Sequence, residues 1–378
     1  MSEKNIIFFI GTIAEYIKLF TVIETAKELG LPYKIILSGQ NEIVNTDIAK
    51  ATSLVPDLQL SLEKNIIKNV FGLFGWFFKT LFSSKKVISN TFSDVDFKNS
   101  VFVVHGDTLS TVMGAVLAKR LHSKLCHVEA GLRSHHWFSP FPEEIDRHIV
   151  SKLSDYNFCQ GNESFENLKK YPGERINTEY NTIIDSLFYS DKQQIQNKKI
   201  AEIIKTNYCV CVVHRQENLL KTNFVKHITK KIIDVSKREK VVFILHTITK
   251  NTLMQLNLLN KLQESENIIL LDRAEYFDFM KLLQNSDFVI TDGGSNQEEL
   301  YYMGKPTLIL RSATERQEGI GENALLYGDD LSSIDLFIKN YKTFEREPIT
   351  PNVLPSKIIC NKLMELIDYS EDKQCVTL

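Results

Sequence analysis

The chain has 378 residues, with 45 Lys and Arg against 47 Asp and Glu and a formal net charge of -2 at pH 7. That length exceeds one ordinary core and favours two domains of about 150 to 200 residues each. Mixed charge of this kind gives no electrostatic case for nucleic acid, so the expected partner is a small molecule.

In chain order, the amino terminus MSEKNIIFFIG puts charge ahead of an apolar run too short for a signal peptide, which predicts a cytoplasmic protein. IIFFIG reads as a strand, followed by a helical pattern from Glu15 to Leu29 and a second strand, YKIILS. The aromatic segment from Ile66 to Phe82 is interrupted by Lys68, Lys79 and two glycines and falls short of a span of about 20 residues, so no transmembrane helix is expected. Phe71, Phe74, Phe78 and Leu81 recur there at helical spacing, predicting an amphipathic helix packed on a core or on a second subunit, with a membrane-surface contact as the alternative that no long basic face supports. Strands VFVVHG, KLCHVEA and YNFCQG follow, with a helix over Thr111 to Leu121 between the first two. Past a linker placed around Arg175 to Asp185, the style repeats with CVCVVH, a helix across Asn223 to Arg238, VVFILH, NIILL, DFVITDGG and PTLIL. Strands alternating with helices make parallel, doubly wound sheets, so an α/β fold of two Rossmann-like domains is expected. The boundaries are set at 1–180, 181–355 and 356–378, with Pro355 to Tyr369 as a final helix and a frayed tail after it. Six cysteines include no CxxC pair and read as buried reduced thiols, with neither disulfide nor structural zinc expected.

Four polar stretches sit at or just beyond such apolar runs: HGDT, HVEAGLRS, PFPEE and TDGGSNQEE. Ligands of open α/β sheets bind at the carboxyl ends of strands, where these residues would be delivered. Asp107 follows one strand, either as a ligand-facing carboxylate or as the cap of the next helix. Glu129 repeats the placement on the next strand. Glu143 and Glu144 open a helix that presents Arg147 about one turn on, and one of the two acids could serve only to complement the helix dipole. Asp107, Glu129 and Glu143 together would supply a general base and a general acid. His214 and Arg215 end a strand in the second half, and His246 ends the next; none has metal-ligand spacing, so no metal site is expected. The glycine-bearing turn before EELYYMG can offer backbone N–H groups to a phosphate. Glu299 beyond it could accept ribose hydroxyls, and Arg316 in ATERQEG offers a forked counter-charge to a diphosphate.

These motifs resemble, in order, those of the UDP-N-acetylglucosamine 2-epimerase family: HGDT, HVEAGLR, PFPEE-x-x-R, HR-x-EN, TDSGG-x-QEE and TERPE. The likeness runs from about Gly11 to Gly319. It implies a GT-B-like architecture, two Rossmann-like domains with parallel sheets facing a central cleft, and a carboxy-terminal helix crossing back to the first domain. It also implies a UDP-sugar substrate, a reaction needing neither nicotinamide nor metal, and a homodimer. By matching motif, Asp107, Glu129 and Glu143 become the acid/base carboxylates and His214 an active-site partner. Lys18, Arg147, Arg215, Gly294, Ser295, Glu299 and Arg316 become substrate contacts and Phe279 packs on uracil, and His246, from its place at a strand end, is counted with them.

The chain departs from the family pattern at its amino terminus, where GTIAEYIK stands for GTRPE-x-IK and Ile13 replaces an arginine. Asn41 replaces a histidine, the glycine turn reads Asp292, Gly293, Gly294, Ser295, and Gln317 replaces a proline. The leading expectation is a non-hydrolysing 2-epimerase serving surface polysaccharide synthesis. A hydrolysing 2-epimerase, a GT-B glycosyltransferase and a catalytically silent nucleotide-sugar binder are the alternatives.

Overall fold

The computed structural model describes residues 3–61, 70–135, 142–312, 314, 316–328, 330 and 332–369. The chain divides into two compact units: the residues up to Ser186 joined by those from Pro351 onward, and Leu187–Thr350 between them.

The first unit is built on β1 (Ile6–Ile10), β2 (Tyr33–Leu37), β3 (Leu58–Gln59), β4 (Val101–His105), β5 (Lys124–Ala130), β6 (Tyr156–Cys159) and β7 (Glu174–Asn177). All pairs are parallel, in the order β3-β2-β1-β4-β5-β6-β7. Strands such as IIFFI and VFVVH are apolar on both faces because helices cover both sides of a parallel sheet. On one side, the helix Leu109–Arg120 packs so closely that a Cβ at Gly114 would lie 2.7 Å from both Phe9 Cδ1 and Val104 Cγ1. Leu121, Leu117 and Met113 join Trp76, Phe77, Leu81 and Ile88 of the helix Val70–Thr91 in the same core.

That second helix divides the expected apolar stripe between its inner and outer faces. Trp76, Phe77 and Leu81 turn inward, whereas Phe78 is 52% exposed and stacks on Phe82 at the surface. At about 100° per residue Trp76, Phe77 and Leu81 fall within an arc of about 140°, and Phe78 lies about 60° beyond Leu81, outside it. The side chains of Phe71 and Phe74 lie outside the described residues. No described helix is long and apolar enough to cross a membrane.

Part of the stretch assigned to a linker is strand β7, which pairs with β6 and places Arg175 opposite Asn157. The final helix, Pro355–Leu366, packs on the helix Ile13–Glu28, with Cys360 Sγ donating to the Val22 carbonyl at 3.3 Å. Its first turn is tied by Ser356 N–H, which donates to Asp185 Oδ1 at 3.3 Å.

The second unit holds β8 (Cys209–Val212), β9 (Val241–Leu245), β10 (Ile268–Asp272), β11 (Val289–Thr291), β12 (Thr307–Ile309) and β13 (Ala324–Leu326). They form a parallel sheet in the order β10-β9-β8-β11-β12-β13. Strand order reverses between β1 and β4 in the first sheet and between β8 and β11 in the second. Such switch points open crevices beyond the strand ends; HGDT runs off the end of β4 at one of them and TDGGSNQEE off the end of β11 at the other.

Candidate active site

In the first unit, Asp107 is not the helix cap. Gly106, at φ +70, turns the chain out of β4, and Thr108 then caps the helix Leu109–Arg120, its Oγ1 accepting Thr111 N–H at 3.2 Å. Asp107 is thereby left to Arg147, whose Nε donates to Oδ2 at 2.8 Å while Nη2 stands 2.6 Å from the same oxygen. Arg147 lies on the helix Glu143–Leu153, and its Nη1 donates to Glu144 Oε2 at 2.9 Å. Ser134 N–H reaches the same Glu144 oxygen at 3.0 Å. Burial would raise the Glu144 pKa, but this backbone donor and the guanidinium hold it below the ordinary carboxylate range. Of the paired acids, Glu144 is the buried structural partner; Glu143 is half-buried at the helix start.

Asp146, which the motif pattern does not single out, is buried in the same cluster, and its Oδ2 has no hydrogen-bond partner among the described residues. Burial, then the charges of Asp107 and Glu143, push its pKa up to about 8. It is therefore largely protonated at neutral pH.

Glu129 sits inside β5 in a left-handed conformation, φ +61, where the register with β6 slips between Val128 and Ala130. This bulge re-aims the side chain, a device common beside functional sites. Its Oε2 receives the Lys18 ammonium and the Asn181 amide, and His105 Nε2 lies 3.5 Å away. Lys18 thus meets a carboxylate in this structure. Glu15, from the same helix as Lys18, accepts Gly11 N–H at 2.6 Å and the Thr108 hydroxyl, tying the ends of β1 and β4 together. Burial raises the Glu15 pKa despite these donors. Ile13, where the family pattern has arginine, is half-buried at the start of that helix.

In the second unit, Asp292 follows β11 at the switch point and is fully buried. It accepts His214 N–H at 3.0 Å, Arg215 N–H at 3.0 Å and Asn218 Nδ2 at 3.1 Å, and His214 Nδ1 stands 3.2 Å from Oδ1. Burial opposes its charge, yet the His214 ring and these N–H donors hold its pKa below the ordinary value. The His214 ring stacks on His246, centroids 4.6 Å apart and planes 17° apart. Burial, followed by the charges of His214 and Arg273, lowers His246 to about 4, so it is neutral at pH 7.

The helix Gly294–Tyr302 begins here without a side-chain cap. A Cβ on Gly294 would stand 3.2 Å from Arg316 Nε, so the glycine makes room for that guanidinium. Arg316 is paired with Glu298, and Gln297 Nε2 donates to the Arg316 carbonyl at 3.0 Å. Glu299, proposed from sequence as a ribose acceptor, is buried and takes Asn296 Nδ2 at 2.9 Å. Ser295 is exposed, Phe279 is half-buried on the helix Tyr276–Gln284, and the Arg215 guanidinium pairs with Glu217 at 2.8 Å. Among the described residues no group of three or more His, Cys, Asp and Glu is arranged to hold a metal ion.

A sequence profile of the UDP-N-acetylglucosamine 2-epimerase family matches residues 24–345. The chain belongs to the UDP-N-acetylglucosamine 2-epimerase family. It is accordingly an isomerase of the UDP-sugar 2-epimerase class. The UDP-N-acetylglucosamine 2-epimerase of Campylobacter jejuni is 30% identical over 333 residues, 84% of each chain. The fold is similar to that of the Methanocaldococcus jannaschii UDP-GlcNAc 2-epimerase, solved in complex with UDP-GlcNAc and UDP, with a TM-score of 0.75, 27% identity and coverage of 97% of this chain and 100% of that one. The Neisseria meningitidis enzyme, solved with UDP-GlcNAc bound, gives a TM-score of 0.79 at 25% identity, covering 96% of this chain and 100% of the other. The GT-B-like assignment of two Rossmann-like sheets holds.

Proposed function

We propose that this epimerase interconverts UDP-N-acetylglucosamine and UDP-N-acetylmannosamine without net hydrolysis. One carboxylate removes the C2 proton, UDP leaves C1 with the C1–O bond electrons, and a C1–C2 double bond forms. A second acid then returns a proton to the opposite face of C2 while UDP adds back to C1. The observation that carries this proposal is the pair Asp107 and Glu129 at the ends of adjacent parallel strands, each against its own cation, Arg147 and Lys18. Opposite-face proton transfer needs two such acids, and fixed cations stabilise their charge without reorganisation. Glu143 is the third candidate acid.

In the same proposal UDP is held by residues of the second unit. The amino terminus of the helix Gly294–Tyr302, with Ser295, and the Arg316 and Arg215 guanidinium groups take the diphosphate. Glu299 takes the ribose, Phe279 the uracil, and His214, oriented by Asp292 and His246, the leaving phosphate. No nicotinamide or metal takes part in the steps proposed. A cytoplasmic homodimer supplying surface polysaccharide synthesis completes the proposal.

The test is incubation with UDP-N-acetylglucosamine in deuterated water. Deuterium at C2 of both UDP-sugars, with free UDP staying far below one equivalent, supports the non-hydrolysing reaction. Equimolar free UDP and N-acetylmannosamine would assign the hydrolysing one.

A further inference from the structure

The ends of β4 and β5 carry the same pattern, an acid preceded two residues earlier by a histidine: His105 before Asp107, and His127 before Glu129. The parallel register pairs His105 with Val128 and Val104 with His127. In a regular pleat Glu129 would point away from the face that His105 shares with Val128. The left-handed bulge at Glu129 breaks the alternation, and its Oε2 ends 3.5 Å from His105 Nε2.

His105 is 4% exposed, and neither ring nitrogen has a hydrogen-bond partner among the described residues. A buried imidazole in that state calls for a reason. A shift of about half an ångström would bring Nε2 into hydrogen-bond range of Glu129. His127 is equally buried and does the converse. Its Nε2 lies 2.7 Å from the Gly106 carbonyl, while Gly106 N–H donates to Val128 O at 3.0 Å. Gly106, the residue immediately ahead of Asp107, is therefore held by β5 at both its N–H and its carbonyl. With its pKa lowered to about 4 by burial, His127 is neutral and carries the Nε2 proton it donates.

We propose that the two histidines form a crossed brace for the acid pair, His105 positioning Glu129 and His127, through the Gly106 carbonyl, positioning Asp107. Neither touches the sugar; both are positioning residues. The brace rests on the proton-transfer roles proposed above for Asp107 and Glu129. It explains why each acid-bearing strand carries a histidine, and it couples the placement of one acid to the strand that bears the other.

The test uses the directionality of the reaction. Opposite faces of C2 are deprotonated in the two epimers, so each acid is the base for one of them. Glu129→Asp and Asp107→Glu, which move one base at a time, mark which epimer belongs to which acid through a larger C2-deuterium isotope effect on turnover. His105→Leu is expected to lower kcat by roughly 10- to 100-fold with KM changed less than about 3-fold, because misplacing a catalytic group costs rate and spares binding. It should enlarge the isotope effect for the epimer that Glu129→Asp marks, and His127→Leu for the epimer that Asp107→Glu marks. His105→Gln, which keeps an N–H donor near the Nε2 position, should regain most of the rate. If a leucine variant does not fold, His105→Asn or His127→Asn, whose shorter amide stays polar but cannot reach the Nε2 position, is read for the same epimer assignment.

An isotope effect from His105→Leu that tracks Asp107, equal changes for both epimers, or no change would overturn the brace. Absence of C2 exchange in the unmodified enzyme would instead overturn the function itself, and that result is visible without any variant.

Discussion

Arg147 binds Asp107 through two nitrogens converging on one oxygen, at 2.8 and 2.6 Å, while its third nitrogen holds Glu144 at 2.9 Å. One guanidinium thus joins an acid at the end of β4 to the first turn of the helix that carries it. Only a planar fork can serve both carboxylates. Arg147→Lys should lower turnover by roughly 10- to 100-fold through misplacement of Asp107. Arg147→Ala should also cost about 3 kcal/mol or more of stability, since the Glu144 carboxylate is left buried with its main cation gone. Initial rates and urea titrations check the two halves separately, and an unimpaired lysine variant would show that the fork does not position Asp107.

Asp146 gives the enzyme a specific pH dependence of stability. Its folded pKa of about 8 lies above that of the unfolded chain, so the folded state binds the extra proton between these values. Its contribution is fully present below pH 4 or so and is lost as pH rises through about 8. Asp146→Asn keeps the neutral side chain at all pH values. The variant should therefore gain stability over the parent between pH 5 and pH 9, by an amount on the order of 1 kcal/mol or more. Parallel urea titrations at those two pH values make the comparison, and identical pH slopes would show that Asp146 ionises normally.

Asp292 collects N–H donors from His214, Arg215 and Asn218 in a fully buried position. An asparagine there presents one acceptor oxygen and turns its own N–H groups toward donors. Asp292→Asn should cost about 1 to 3 kcal/mol of stability and tilt the His214 ring off His246. UDP binding measured by calorimetry should weaken roughly 10-fold. Unchanged affinity and stability would mean that Asp292 does not organise the β8 end.

Ile13 occupies the position of the family arginine at the start of the helix Ile13–Glu28. Restoring it with Ile13→Arg should tighten UDP binding by about 1.5 kcal/mol, or roughly 10-fold, if that end of β1 lies along the diphosphate. Calorimetric titration of UDP into both proteins decides it, and equal affinities would place the diphosphate elsewhere.

The alternating apolar runs and the motifs at their ends made the α/β class and the acids legible, because a strand buried on both faces writes itself as an unbroken hydrophobic stretch. Asp107 was ambiguous between cap and ligand until Thr108 took the cap. Asp146 was hidden as a spacer between Glu144 and Arg147, since one sequence does not reveal which helix positions face a cluster. Asn181 reaches Glu129 across 52 residues of chain, a pairing no local pattern encodes. The bulge at Glu129 was equally silent, because nothing in HVEAG marks a left-handed glutamate. Phe78 faces outward on this chain, which spacing did not reveal because helical periodicity alone does not tell which side of an aromatic-rich helix the sheet occupies.

The measurement closest to the central claim is NMR detection of solvent deuterium at C2 in the unmodified enzyme, Asp107→Asn and Glu129→Gln, started from either UDP-sugar epimer. Expected are rapid C2 labelling by the unmodified enzyme and labelling at least roughly 100-fold slower in each variant, with UDP affinity retained. Labelling at normal rates in both variants, or turnover of the UDP-sugar with C2 left unlabelled, would contradict it.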